Sequence, residues 1–483
     1  MSERLAGVGA QALPSAPSAV SRRKFLLPLA LAQFICSFAG SNMNVMINDI
    51  SEDLNTTVKG VQTAITLFLL IMAILMIPGS KLSDRWGRKR CFTMGLVLYG
   101  IGALLSAVSP GLGVLIVGNS VFEGVGTALL IPPVYILTTL AFSDLTSRAK
   151  AFGVIMGAGG IGAAAGPLIG GLITTGISWR AAFVFQALVV GVIVLLSRRA
   201  VVDPLPADPE RPFDTVGAVL SGIGLFCLVF GIMQIGTNNV LAAVFAAIGA
   251  VFLLWFFLYI RRRERAGKEV LLSTSLFRNR TSDLALVTQN IQWLILMGTS
   301  FVVAVYLQEV RGYNAIKTGI VFTAATVGVL LTSLLAERFA TRRTQKTLIV
   351  AGFVGAIAGI VLLIGLVRAW SSELAFVPGL FVIGAALGIM LTPSVNVVQS
   401  SFPEDQQGEI SGLSRSISNL GSSLGTAIAG TILVSAVALG NASYAWAMAS
   451  LAVAGAIGLG AAVLLPSGVA RPSVADHELQ PDQ

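Results

Sequence analysis

Stretches of about 20 residues with little or no charge recur from residue 25 to residue 465, and each is long enough to cross a hydrocarbon core at 1.5 Å per residue. Lipid offers no partner to a free backbone N–H or C=O, so segments of this kind cross as helices. Of the 483 residues, 55% are hydrophobic and 11% charged, more apolar surface than a water-soluble fold of this length can hide. The pattern predicts an all-α membrane protein of about fourteen transmembrane helices. The 52 glycines agree with it, since small residues let membrane helices approach closely.

Charge orients those spans. With the N-terminus inside, only Lys59, Arg180, Arg311, Lys317 and Arg368 fall outside, and every other Lys and Arg falls inside. That asymmetry predicts a multi-pass protein of the plasma (inner) membrane with both termini cytoplasmic. It also explains the formal net charge of +9 without nucleic acid, because the basic residues sit in short segments between apolar runs. Arg22, Arg23 and Lys24 precede a first apolar run longer than a signal-peptide core, so a retained first span is expected. Cys36, Cys91 and Cys227 fall in separate spans and the single histidine, His477, in the polar tail. No metal site, cofactor or catalytic set is therefore expected. No GxxxxGK[ST] loop occurs, so uphill transport must draw on an ion gradient.

The chain also repeats itself. LSDRWGRKR (Leu82 to Arg90) follows the second span and LAERFATRR (Leu335 to Arg343) the tenth, so that Asp84 and Arg85 correspond to Glu337 and Arg338. Two related halves framing a midplane site is a transporter design. The expected organisation is a cytoplasmic tail over 1–24, a six-helix half over 25–200 and an inserted helix pair with its linkers over 201–282. A second six-helix half over 283–466 and a cytoplasmic tail over 467–483 complete it.

These residues resemble the major facilitator superfamily, and within it the fourteen-span drug:proton antiporter family. GSKLSDRWGRKR (Gly79 to Arg90) is similar to the superfamily's signature loop between spans 2 and 3. GAAAGPLIGG (Gly162 to Gly171) is similar to the antiporter signature of span 5, here Gly162, Gly166, Pro167, Gly170 and Gly171. SWRAAF from Ser178, FDTVGAVLSGIGL from Phe213, YLQEVRGYNAIKTGIVF from Tyr306 and GLSRSISNLGSSLGTAIAG from Gly412 extend the likeness over nearly the whole chain. The resemblance implies the major facilitator fold, two six-helix halves plus two inserted helices, and a seal formed by span 5. The sequence departs from the family pattern twice. Ala39 stands where span 1 usually carries Asp, and in span 4 Ser120 and Glu123 stand where Arg and Gln are usual.

Gly79, Asp84, Arg85, Gly87 and Arg88 are expected to form an inner-face latch with Glu337, Arg338 and Arg415 as partners. A carboxylate at a helix end can accept from the next helix start and pair with a base on a neighbour. Setting the topology is the simpler alternative. Glu123 is the one carboxylate deep within a span, the others lying at span ends. Intramembrane acids mark ion and proton pathways, and a carboxyl withdrawn from water favours its protonated form. Glu123 is thus the candidate for proton coupling or substrate binding, proton and substrate competing for one carboxylate, with packing as the alternative. Gln33, Asn42, Asn44, Asn119, Phe122, Gln289, Asn290, Gln292, Trp293, Asn396, Gln399 and Asn419 are candidates to line the cavity, as are the rings of Tyr135, Phe301 and Tyr306. Amides in membrane helices also serve as packing glue.

The reading that unites these features is a monomeric, lipid-embedded secondary transporter. It exports a lipophilic or amphipathic small molecule, a cationic drug or dye among the candidates, by alternating access coupled to protons, with sodium as the other possible ion. A specific metabolite, lipid or amino acid is the alternative substrate. A non-transporting membrane scaffold or sensor is the alternative of another class.

Overall fold

The computed structural model describes residues 19–142, 145–203, 207–210, 212–370, 372–402, 407–435 and 441–466. Among them thirteen helices are long and apolar enough to cross a membrane, and one bent helix brings the number to fourteen. Spans 1 to 4 are Arg23–Asp53, Val58–Trp86, Arg88–Ala107 and Leu112–Ala141. Span 5 is the bent helix Leu145–Gly176. Spans 6 to 9 are Trp179–Ala200, Thr215–Met233, Asn239–Arg265 and Arg280–Val310. Span 10 is Ala315–Arg342, and spans 11 to 14 are Gln345–Ala369, Glu373–Ser400, Glu409–Val434 and Ala442–Leu464.

Short polar side chains start these helices. Thr57, Ser178, Asp214, Asn238, Asn279 and Thr344 each accept from a backbone N–H of the first turn at span 2, 6, 7, 8, 9 or 11, which satisfies a donor the helix itself cannot. Gly87 separates spans 2 and 3 at φ 93°, a conformation costly for any residue with a Cβ. The expected loop Gly79–Arg90 is therefore helix on either side of that one glycine.

Helix contacts define the arrangement. Span 5 packs on span 1 in its own half and on span 10 in the other, and span 2 packs on span 13. Spans 7 and 8 pack on each other, and span 7 also touches spans 2 and 13. Leu70, Val229, Met233 and Ala427 form a small core where spans 2, 7 and 13 meet. Large apolar side chains such as Leu188, Leu195, Val240 and Leu254 stay exposed on the perimeter, as a multi-pass membrane protein presents them to lipid.

Span 5 meets two partners at once. A Cβ at Gly162 would lie 2.3 Å from the Phe34 carbonyl oxygen, and one at Gly170 would lie 3.0 Å from the Asn42 Cβ, so this face rests on span 1. A Cβ at Gly171 would lie 2.5 Å from the Ala315 carbonyl oxygen, in span 10. The span bends by 42° between Ala163 and Ala165, where Pro167 removes the backbone bond to residue 163. Gly162→Ala is expected to lower the melting temperature in detergent, because overpacking of this kind costs about 1–3 kcal/mol. Gly157→Ala, with nothing within 4 Å of its added Cβ, is expected to leave it unchanged.

Candidate functional site

The two halves enclose a cavity of about 1230 Å³. It starts beside Ser41 of span 1 and Ser300 of span 9 and runs to Gln345 and Ser400, at the ends of spans 11 and 12. Those ends share a side with the basic segments Lys81–Arg90 and Arg342–Lys346. The walls are mainly apolar, with Trp293, Phe322, Leu380 and Phe152 among them.

At the opposite end the halves are joined by several polar bonds, among them those of Gln308 and Asn44. Gln308 Nε2 donates to the Asn44 carbonyl oxygen at 2.9 Å, and Gln308 Oε1 accepts from the Asn48 backbone N–H at 3.1 Å. Asn44 Nδ2 donates to Ser300 Oγ at 3.0 Å. Neither segment is α-helical there: Met43–Met46 is a 3₁₀ turn and Tyr306–Val310 a π-helical one. These local changes of pitch turn a backbone carbonyl and a side-chain amide toward each other.

A further cross-half contact lies within the cavity. Arg415 of span 13 donates from Nη2 to the Tyr135 hydroxyl of span 4, and its guanidinium carbon lies 4.5 Å from the ring centroid. Tyr135 donates onward to Gln33 Oε1 at 3.0 Å, and Gln33 Nε2 to Ser37 Oγ at 3.2 Å. The Tyr135 ring stacks on Phe152 at 5.8 Å. Tyr135, Gln33, Phe152 and Arg415 all line the cavity.

Glu123 is placed differently from the expectation. It is 0% exposed and absent from the cavity wall. It ends a π-helical segment, Ile116–Glu123, whose wider turns shift the helix phase. The hydroxyls of Tyr99 and Ser106 face it, but Tyr99 donates to Gln186, and neither carboxylate oxygen has a hydrogen bond of normal geometry. An ionised carboxylate is costly in such a setting, and direct competition between proton and substrate at this residue would need a cavity position it does not have.

The other expected residues divide. Gln33, Trp293, Asn396, Gln399 and Tyr135 reach the cavity. Asn42, Asn44, Asn119, Phe122, Gln289, Asn290, Gln292 and Asn419 do not, and neither do Phe301 and Tyr306. Several of these amides tie helices together instead. Gln289 bonds Ser414 and Ser418 of span 13 at 2.9 Å, Asn290 bonds the Ile417 carbonyl oxygen at 2.9 Å, and Gln292 accepts from Ser394 at 3.1 Å.

The expected latch residues of the first half bond to one another and to the linker that follows span 6. Asp84 pairs with Arg88 at 2.7 Å, Asp203 accepts from the Arg88 backbone N–H at 2.7 Å, and Arg85 donates to the Pro209 carbonyl oxygen at 3.0 Å. The side chains of Glu337 and Arg338 lie outside the described residues. Arg415 faces the cavity rather than that cluster. Across the halves on this side, Lys81 pairs with Glu409 of span 13 and lies 3.7 Å from Glu269. Neither this tie nor the Gln308 amide was expected: Lys81 and Gln308 lie within the family-like segments that start at Gly79 and Tyr306, but nothing in those segments points to a bond across the halves.

Residues 29–235 and 215–426 match the Major Facilitator Superfamily, and the chain belongs to that superfamily. It is 27% identical over 414 residues to the multidrug resistance protein Stp of Mycobacterium tuberculosis, covering 84% of this chain and 75% of that one. It is 27% identical over 424 residues to the puromycin resistance protein pur8 of Streptomyces alboniger, covering 86% and 82%, and 24% identical to the riboflavin transporter RibZ of Clostridioides difficile, covering 83% and 86%. A crystal structure of a peptide transporter POT in complex with sulfate superposes with a TM-score of 0.68 at 16% identity, covering 92% and 95%.

All three native cysteines are buried, whereas Ser411 lines the cavity. A hydrophilic maleimide is expected to label Ser411→Cys in the folded protein and to leave Cys36, Cys91 and Cys227 unlabelled, as read by intact mass.

Proposed function

We propose that the protein is a proton-coupled secondary transporter that exports a lipophilic or amphipathic small molecule by alternating access. The observation that carries this reading is the cavity: about 1230 Å³, mainly apolar, joined between the halves at one end and open at the other. Such a space suits a drug-sized ligand, for which pockets of about 300–1,000 Å³ are usual. The multidrug resistance protein and the puromycin resistance protein among its relatives support the choice of lipophilic substrates. The resemblance of Gly162 to Gly171 to an antiporter signature supports exchange against an ion.

On this reading the protein works as a monomer in the plasma membrane, with both termini and the open mouth facing the cytoplasm. The basic segments beside the mouth support that orientation. The halves would be 25–200 and 283–466, with 201–282 inserted between them. Rocking of the halves would part the Gln308 amide from span 1 and close the mouth, where Lys81, Asp84, Arg85 and Arg88 lie.

Glu123 is the proposed proton carrier, acting through conformation. Its carboxyl is tolerated in the enclosed state when neutral, and ionisation favours a state in which water reaches it. It shares span 4 with Tyr135, twelve residues on, or about 18 Å along the helix. Protonation at one place and substrate contact at the other thus bear on a single helix.

In proteoliposomes carrying a pH gradient, flux of a lipophilic dye is expected to rise with the gradient. Glu123→Gln is expected to remove that dependence while expression and melting temperature hold. Gradient-driven flux retained in this variant would exclude Glu123 as the carrier, and flux of no dye or metabolite would favour a scaffold or sensor.

A further inference from the structure

We propose that the transported substrate is a lipophilic organic anion, an apolar and preferably aromatic body with one carboxylate, sulfonate or phenolate, held through that group by Arg415. The inference rests on the efflux reading and goes further by giving the sign of the substrate's charge.

The charge on the cavity wall carries the argument. Among the described residues that line it, Arg415 is the only one with a formal charge, and no Asp or Glu is present. The two intramembrane positions that could supply an acid do not. Ala39 is a buried apolar residue, and Glu123 is enclosed away from the wall. Of the described carboxylates near the mouth, Glu409 and Glu269 lie against Lys81. A cation entering this space meets a like charge between low-dielectric walls, where such repulsion is stronger than in water. An anion meets a guanidinium, whose planar fork of N–H donors suits carboxylate and sulfonate oxygens.

The surroundings of Arg415 fix its position. Its guanidinium lies over the Tyr135 ring, which in turn stacks on Phe152. The hydrogen bonds run in one direction, from Arg415 to Tyr135, from Tyr135 to Gln33 and from Gln33 to Ser37. Trp293, on the same cavity wall, adds an aromatic surface for the substrate's body. Arg415 belongs to the second half, and Tyr135 and Gln33 to the first. A substrate anion here touches both halves, and its affinity changes when they move.

The test uses three probes with the full-length protein in vesicles of phosphatidylcholine, so that no anionic lipid headgroup competes. They are anilinonaphthalene sulfonate, its uncharged analogue N-phenylnaphthylamine, and the cation ethidium. The sulfonate is expected to be bound and moved in preference to the neutral compound by about tenfold or more, the scale of one charge-assisted hydrogen bond, with ethidium excluded. Arg415→Gln is expected to erase the preference, and Arg415→Lys to restore part of it. The wild-type selectivity decides by itself if Arg415→Gln does not fold. Ethidium moved in preference to the sulfonate, or a preference that survives Arg415→Gln, overturns the inference and leaves efflux standing. Movement of none of the three overturns the efflux reading and this inference together.

Discussion

Inside a membrane a polar group that has left water must find its partner within the protein. In this chain the partner often lies in the opposite half. Gln308 reaches the backbone of Asn44 and Asn48, and Gln62 donates to the Thr426 carbonyl oxygen at 3.0 Å. Ser416 and Ser423 of span 13 donate to the carbonyl oxygens of Ala73 and Thr66 of span 2. Lipid tails are as apolar as leucine, so these bonds and the close glycine contacts of span 5 hold the halves together, with no hydrophobic drive between helices. Bonds of this kind are worth about 0.6 kcal/mol each on average. An interface made from a few of them can be ordered and still open, which the proposed rocking requires.

Much of the fold was legible in the sequence, because the apolar stretches and the distribution of Lys and Arg are set by the bilayer itself. The ends of the helices were less so. The segment from Gly79 to Arg90 reads as a loop between spans 2 and 3, whereas the helix continues to Trp86 and carries Lys81, Asp84 and Arg85. Hydropathy records the thickness of the hydrocarbon, but a helix ends where a cap or a residue such as Gly87 stops it. The glycines of span 5 were legible as a signature that implies a seal, and the spacing of four between Gly162, Gly166 and Gly170 puts these three on one helix face.

The site was harder to read. A residue type and a depth do not say which way a side chain points, and the direction depends on helix phase. Ile116–Glu123 and Tyr306–Val310 are π-helical, and nothing in the sequence marks that change. Glu123 therefore sits inside the first half, and Gln308, to which the sequence assigns no role, helps to join the halves. The amides that failed to reach the cavity, such as Gln289 and Asn290, are satisfied by serines and a carbonyl oxygen of span 13, pairings that only the assembled bundle reveals. Arg415 lies two turns into span 13 and reads in sequence as an inner-face residue, yet it faces the cavity because span 13 borders it.

The Gln308 amide, together with the Asn44–Ser300 bond beside it, holds one end of the cavity shut, and on the proposed reading the loss of Gln308 lets the halves separate there more often. Distances between spin labels at Ile177 in the first half and Leu374 in the second, both exposed beyond the closed end, test it directly. The account predicts a single short distance for the wild-type protein and a second, longer population in Gln308→Ala. An identical, single distribution in both proteins would contradict it.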